Sequence, residues 1–300
     1  MSNITRIIYT SDNFKKLITS FLNRGKLKDK YIDTLTSPEN MKLFGQAFTA
    51  ASADPEKNYE IFEQLGDLSA NKFIVSYAYK RFPQLKCPKG VKVAARLRIN
   101  YGSKDSFSEI ADKLGFWNYI SAAEDGSDKK AKYRGRHKDD LLEDVLEAII
   151  GCTEQILDEE YMPGVGYAIV YDILVSIFDD INISLNYVDL YDAITRMKET
   201  FDMFGDQIGK FKFIDSRNEH GAVTTLYQIP VNAANKKPRK TFYQGENVYR
   251  PNLGWLKIGS GAGIKKKSAQ QIAAEEGILE ITRLYDKTKQ IPNEYLQFCK

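Results

Sequence analysis

Apolar residues recur every three or four positions through most of the first 180 residues, the period of amphipathic helices. The pattern predicts helices over residues 13–22 and, briefly, 28–35, with Pro38 interrupting it. A long helix is predicted from residue 56 to Phe82, where Pro83 removes a backbone donor and stops it. A helix over residues 91–100 ends at Gly102, and Ser106 or Ser108 is the candidate cap of the next one, in SFSEIADKLGF. Residues 121–138 are polar and charged and read as a loop. A strongly apolar helix follows over residues 139–157, then a turn at Met162-Pro163-Gly164 and a helix over residues 166–181. No strand alternation stands out before residue 182.

The pattern then changes. Residues 189–204 read as helix, broken at residues 205–209. Residues 211–214, 225–229 and 255–258 alternate like strands, and residues 268–285 form a last amphipathic helix. Residues 232–252 read as an exposed connection. The predicted fold class is therefore multidomain, all-α followed by α+β in the order α-β-β-β-α. The expected division is an N-terminal helical extension at 1–39, an all-α domain at 40–184, an α+β domain at 185–290 and a tail at 291–300.

Composition narrows the class. The 300 residues are 43% hydrophobic and 28% charged, which excludes a disordered chain, a collagen-like chain and a small disulfide scaffold. Net charge is only +3, but residues 236–267 hold nine Lys/Arg against Glu246 alone. Such a run is either a footprint for phosphate backbones or a solvated loop. Cys87, Cys152 and Cys299 are far apart, and so are His137 and His220. That spacing suits neither a zinc site nor a disulfide framework and fits a reducing compartment. The N-terminus lacks a signal layout, and the most apolar stretch, 164–178, is too short to span a bilayer and contains Asp172. A soluble intracellular protein, cytoplasmic and without membrane contact, is expected.

Two acidic pairs carry the candidate chemistry. Glu63 and Asp67 share a helix face, which continues as Ala70, Ile74 and Tyr77 and so turns inward. Gly66, unfavourable in mid-helix, points to close approach by another backbone. Asp144 and Glu147 lie three apart on a helix apolar almost all round. Four hard oxygen donors on two helices suit Mg²⁺, which could activate water and stabilise both oxygens of a phosphodiester displacement. Two ordinary solvated acidic faces would show the same spacing.

The run Glu60-Ile61-Phe62-Glu63-Gln64-Leu65-Gly66-Asp67 resembles the ribonuclease III signature E-R-L-E-F-L-G-D. Ala78-Tyr79-Lys80-Arg81-Phe82-Pro83 continues the resemblance, as do Leu97-Arg98 and the segment from Phe107 to Gly115. The segment from Asp140 to Gly151 resembles the family's second acidic motif, D-x-x-E-A-x-x-G. The resemblance covers residues 40–182. It implies an endoribonuclease cleaving double-stranded RNA to products with 5′-phosphates and short 3′ overhangs. Glu63, Asp67, Asp144 and Glu147 would be both catalytic and metal-binding, with Glu60 in support. Mg²⁺, or Mn²⁺ in its place, would be the cofactor, and the partner a second copy of the chain. Ile61 stands where arginine is usual and Gln64 where an aromatic is usual, in the segment that forms the family's dimer contact.

Near the C-terminus, Gly259, Gly261 and Gly263 precede Lys265, Lys266 and Lys267, which reads as a glycine-rich turn opening a helix. A helix N-terminus favours phosphate, and three lysines strengthen that. Lys266, Lys267, Ala269, Ala273 and Ala274 resemble the last helix of the double-stranded RNA-binding domain, whose lysines bridge phosphates across a groove of A-form RNA. His220-Gly221 falls where that domain has an RNA-contacting loop, and a plain turn histidine reads equally well. Lys265, Lys266, Lys267 and His220 are the candidate RNA contacts. The alternative function is a catalytically weak or inactive RNA-binding protein that sequesters RNA or scaffolds an RNA–protein assembly.

Overall fold

The computed structural model describes residues 10–122, 134–231, 233, 239–243, 246–252, 254–285 and 298, with backbone alone for 134–137, 239–243 and 246–250. The chain divides into two compact units, Met1–Ile183 and Ser184–Lys300.

The first unit is helical: α1 (Asp12–Asn23), α2 (Asp29–Leu35), α3 (Pro38–Ala47), α4 (Glu60–Arg81), α5 (Gly90–Tyr101), α6 (Lys104–Lys113), α7 (Arg134–Glu160) and α8 (Val165–Phe178). Pro38 opens α3 instead of merely interrupting helix. It occupies the first turn, where its missing N–H has no partner to lose, and Ser37 caps it by accepting from the Asn40 N–H. The start of α4 is later than predicted because Asp54 Oδ1 accepts the N–H groups of Glu56 and Lys57 and holds them in a turn. Ser103, not Ser106 or Ser108, caps α6: the Ser106 N–H donates to Ser103 Oγ. Helix α7 begins at Arg134, inside the segment read as loop, and residues 123–133 lie outside the described residues.

One core joins these helices, α5 reaching it through Tyr101 and otherwise packing against α4. Phe14, Ile18, Phe21, Leu22 and Leu35 are buried in the same cluster as Phe48, Phe73, Phe116, Ile149 and Ile173. Phe14 meets Phe48 edge-on and Phe21 meets Phe116. Helices α1 and α2 are therefore part of the helical core.

The second unit runs α9 (Tyr187–Leu190), α10 (Ala193–Ile208), β1 (Lys210–Asn218), β2 (Gly221–Ile229), β3 (Arg239–Tyr243), β4 (Glu246–Arg250), β5 (Leu256–Gly263) and α11 (Lys266–Leu284). The antiparallel sheet has the order β1-β2-β5, and β3-β4 form a separate hairpin. That hairpin replaces the exposed connection expected at 232–252. Its two strands of five residues are too short for a period to show in sequence and are defined by pairing with each other, Arg239 opposite Arg250 through Tyr243 opposite Glu246. Helix α10 continues through Gly205 and stops at Gly209, whose φ is +84°. The glycine-rich segment is strand, not turn. A Cβ on Gly259 would lie 2.2 Å from the Ala273 carbonyl oxygen, and one on Gly261 2.2 Å from that of Ala269. Alternate glycines thus bring α11 directly onto the sheet. Among the described residues no helix is long and apolar enough to cross a membrane.

Candidate active site

Helices α4 and α7 cross backbone to backbone. A Cβ built on Gly66 would lie 1.8 Å from the Glu147 carbonyl oxygen, and one on Gly151 2.1 Å from that of Phe62. The approach inferred from Gly66 is therefore real, and Gly151 is its counterpart on the other helix. Because neither glycine carries a side chain, Glu63 and Asp67 on α4 are brought beside Asp144 and Glu147 on α7.

The carboxylates feel one another. Burial, then Asp144, Glu60, Glu143 and Asp67, push Glu63 up to about 7. Burial, then Asp67, Glu143, Glu63 and Asp144, push Glu147 up to about 8. Glu147 is 7% exposed, while Glu60, at the start of α4, is exposed and joins the group only at its rim. Two further contacts hold the ligand candidates. The Tyr59 hydroxyl donates to Asp144 Oδ2 at 2.6 Å, and burial with that bond holds the hydroxyl well above the ordinary tyrosine range. Asn71 Nδ2 donates to Asp67 Oδ1 at 2.5 Å and to the Asp67 carbonyl oxygen at 2.9 Å.

Among the described residues, no group of three or more Asp, Glu, His or Cys side chains is already placed to hold a metal ion together. The donor set still fits a hard divalent cation. Magnesium is commonly held by one or two carboxylates plus water and substrate phosphate instead of by an all-protein cage. Crowded carboxylates that raise one another's pKa also mark surplus negative charge that such an ion would neutralise.

In the second unit, the β1–β2 turn and the start of α11 share one end of the sheet. Gly221, at φ +134°, would clash through a Cβ with the Gly263 carbonyl oxygen 2.6 Å away. His220, in that turn, is exposed, with its Nε2 3.6 Å from Glu219 Oε1. Lys265, Lys266 and Lys267 are exposed at the head of α11, and Lys266 Nζ pairs with Asp215 Oδ2 at 2.7 Å.

The Ribonuclease III domain profile matches residues 60–154, which hold both acidic pairs. A ribonuclease 3 homologue from Invertebrate iridescent virus 6 is 36% identical across 97% of this chain and 96% of its own length. The chain belongs to the ribonuclease III family. A ribonuclease 3 homologue from Frog virus 3 (isolate Goorha) is 42% identical over 66% of this chain and 52% of that protein. The solved nuclease domain of ribonuclease III from Campylobacter jejuni is 24% identical, covers 54% of this chain and 98% of its own, and superposes with a TM-score of 0.40.

As a ribonuclease III chain it is an endoribonuclease, and the sequence alone missed several residues around its acidic centre. Gly151 was readable as a second mid-helix glycine opposite Gly66. Glu143 was readable too, since 140, 143, 144 and 147 fall on one stripe of α7. Tyr59 left no local signal, because its partner lies 85 residues away.

Proposed function

We propose that the protein is a divalent-metal-dependent endoribonuclease acting on double-stranded RNA, with Glu63, Asp67, Asp144 and Glu147 as its catalytic and metal-binding set. The observation that carries this reading is the glycine-to-glycine crossing, which joins two carboxylate pairs from distant parts of the chain. Mg²⁺, with Mn²⁺ as substitute, would supply charge neutralisation at the phosphate and activation of water. Glu63 and Asp67 would hold the ion from α4, and Asp144 and Glu147 from α7. Tyr59 orients Asp144 and Asn71 orients Asp67, while Glu60 supports from the rim. Products would carry 5′-phosphates and short 3′ overhangs.

Two further parts belong to this reading. Ile61, Leu65 and Leu68 form an exposed apolar stripe at i, i+4 and i+7 of α4, with Leu68 65% exposed, and this face suits a second copy of the chain. The second unit acts as a double-stranded RNA-binding domain, with Lys265, Lys266, Lys267 and His220 toward phosphates. An added β3–β4 hairpin sets it apart from the plain α-β-β-β-α order.

The test is cleavage of a long RNA duplex in Mg²⁺ by wild type and by Glu147→Gln. Metal-dependent shortening lost in the variant supports the reading. Binding without shortening, in Mg²⁺ and Mn²⁺ alike, would replace it with a protein that sequesters RNA.

A further inference from the structure

The four acids on one stripe of α7 are not equivalent. Asp140 and Glu143 meet Lys104 at the first residue of α6: its Nζ pairs with Asp140 Oδ1 and lies 3.5 Å from Glu143 Oε2. Asp144 and Glu147 are left to face α4. Six residues before Lys104, near the end of α5, Arg98 Nη1 donates to Asn71 Oδ1 at 3.0 Å. Asn71 in turn spends its amide nitrogen on Asp67. Between the two cations the corner is pressed onto α4: a Cβ on Gly102 would lie 3.2 Å from Ile74 Cδ1 and 3.5 Å from Asn71 Oδ1. A single short corner therefore touches both acidic helices.

We infer that the α5–α6 corner positions the acidic centre from two sides, Arg98 acting through Asn71 on Asp67 and Lys104 reserving Asp140 and Glu143 from the metal-binding set. This rests on the assignment of Glu63, Asp67, Asp144 and Glu147 as the cation site. The chemistry of each arm differs. Asn71 bonds the Asp67 side chain and its own carbonyl one turn away, so it fixes the carboxylate's rotamer. Arg98 anchors the other end of that amide and prevents it from flipping. Lys104 instead balances charge. With its amine in place, the stripe offers two carboxylates to a cation; without it, four compete.

These roles predict opposite responses. Partners that orient metal ligands typically change ion affinity or activity by about 10–100-fold when removed. Asn71→Ala should raise the Mg²⁺ concentration needed for half-maximal cleavage by about 10-fold or more, with kcat recovered at saturating ion. Arg98→Met should shift it the same way by less, and its side chain is exposed, so the fold is spared. The double variant should be no worse than Asn71→Ala, since both break one chain of contacts. Lys104→Met should leave the midpoint unchanged or lower it while kcat falls, and Lys104→Arg should restore kcat.

The experiment pairs these kinetics with melting of the RNA-free protein in graded Mg²⁺ or Ca²⁺, which reads ion binding without cleavage. Ion-induced stabilisation that needs more ion in Asn71→Ala and Arg98→Met, but not in Lys104→Met, supports the inference. A wild-type midpoint in Asn71→Ala, additive effects in the double variant, or a wild-type kcat in Lys104→Met overturns it. If wild type binds the ions yet cuts no duplex, the proposed activity falls while the melting series still decides the corner's role. If neither ion changes wild-type melting, the cation site and the corner's role fall together.

Discussion

Gly151→Ala is the sharpest probe of the acidic centre, because it adds one methyl group where only backbone stands. That methyl carbon would lie 2.1 Å from the Phe62 carbonyl oxygen, 2.8 Å from the Gly66 nitrogen and 3.0 Å from the Phe62 carbonyl carbon. No rotamer change relieves contacts with main-chain atoms, so the 2.1 Å contact must open by roughly 1.4 Å to reach ordinary contact near 3.5 Å. Overpacking of this kind costs about 1–3 kcal/mol, and the backbone contact places it at the upper end. Alanine returns about 1 kcal/mol through its better helix propensity. The net loss is about 2 kcal/mol, which for a unit of this size lowers Tm by about 4–8 °C. Activity should suffer more than stability, because a displacement near 1 Å at a reacting centre can reduce rate on the order of 100-fold. Calorimetric melting and initial rates on an end-labelled duplex at saturating Mg²⁺ measure the two effects side by side. Wild-type Tm and wild-type rate in Gly151→Ala would refute the backbone crossing and with it the account of how the carboxylates meet.

Gly205→Ala is the counterpart in the second unit: it lies within α10 and a Cβ there meets nothing within 4 Å, so melting should show stabilisation of about 1 kcal/mol. Glu147 and Glu63 have folded pKa values of about 8 and about 7, above the 4.5 of a free glutamate, so they stabilise the ion-free fold in acid and withdraw that stability as pH rises through this range. Melting of ion-free protein from pH 5 to 8.5 should fall more steeply for wild type than for Glu147→Gln; parallel curves would contradict the buried-acid account. Lys265→Ala with Lys267→Ala should weaken duplex binding and reduce the salt slope by about 0.7–0.9 for each phosphate that the lysines no longer neutralise, read from mobility shifts at several salt concentrations. An unchanged slope would remove the head of α11 from the RNA interface.

Local patterns made the helical elements and both acidic pairs legible. Glu63, Asp67, Ala70, Ile74 and Tyr77 lie on one helix face by period alone, and the last three are buried as that period requires. Gly66 signalled a close neighbour without naming it. What stayed hidden depends on residues distant in sequence. Arg98 meets Asn71 across 27 positions and Lys104 meets Asp140 across 36, and no local rule pairs them. The glycines of β5 misled for a related reason. Glycine is equally at home in a phosphate-binding turn and under a closely packed helix, and only Ala269 and Ala273 lying against Gly261 and Gly259 decide between them. Pro38 misled because a proline that ends one helix can open the next.

The burial of Phe14, Ile18, Phe21 and Leu22 in the same core as Ile173 and Phe178 has a consequence for how the chain is made. At synthesis rates of about 5–20 residues per second, the N-terminal helix waits on the order of ten seconds for its last packing partners to leave the ribosome. During that interval its apolar face is uncovered, and neither acidic helix has its full support. Until α8 is made and packs in the same core, the apolar face of α1 lacks part of its cover. Slower translation lengthens that exposure, so yield of active protein should respond to chaperone supply more strongly than the folded protein's stability alone would suggest.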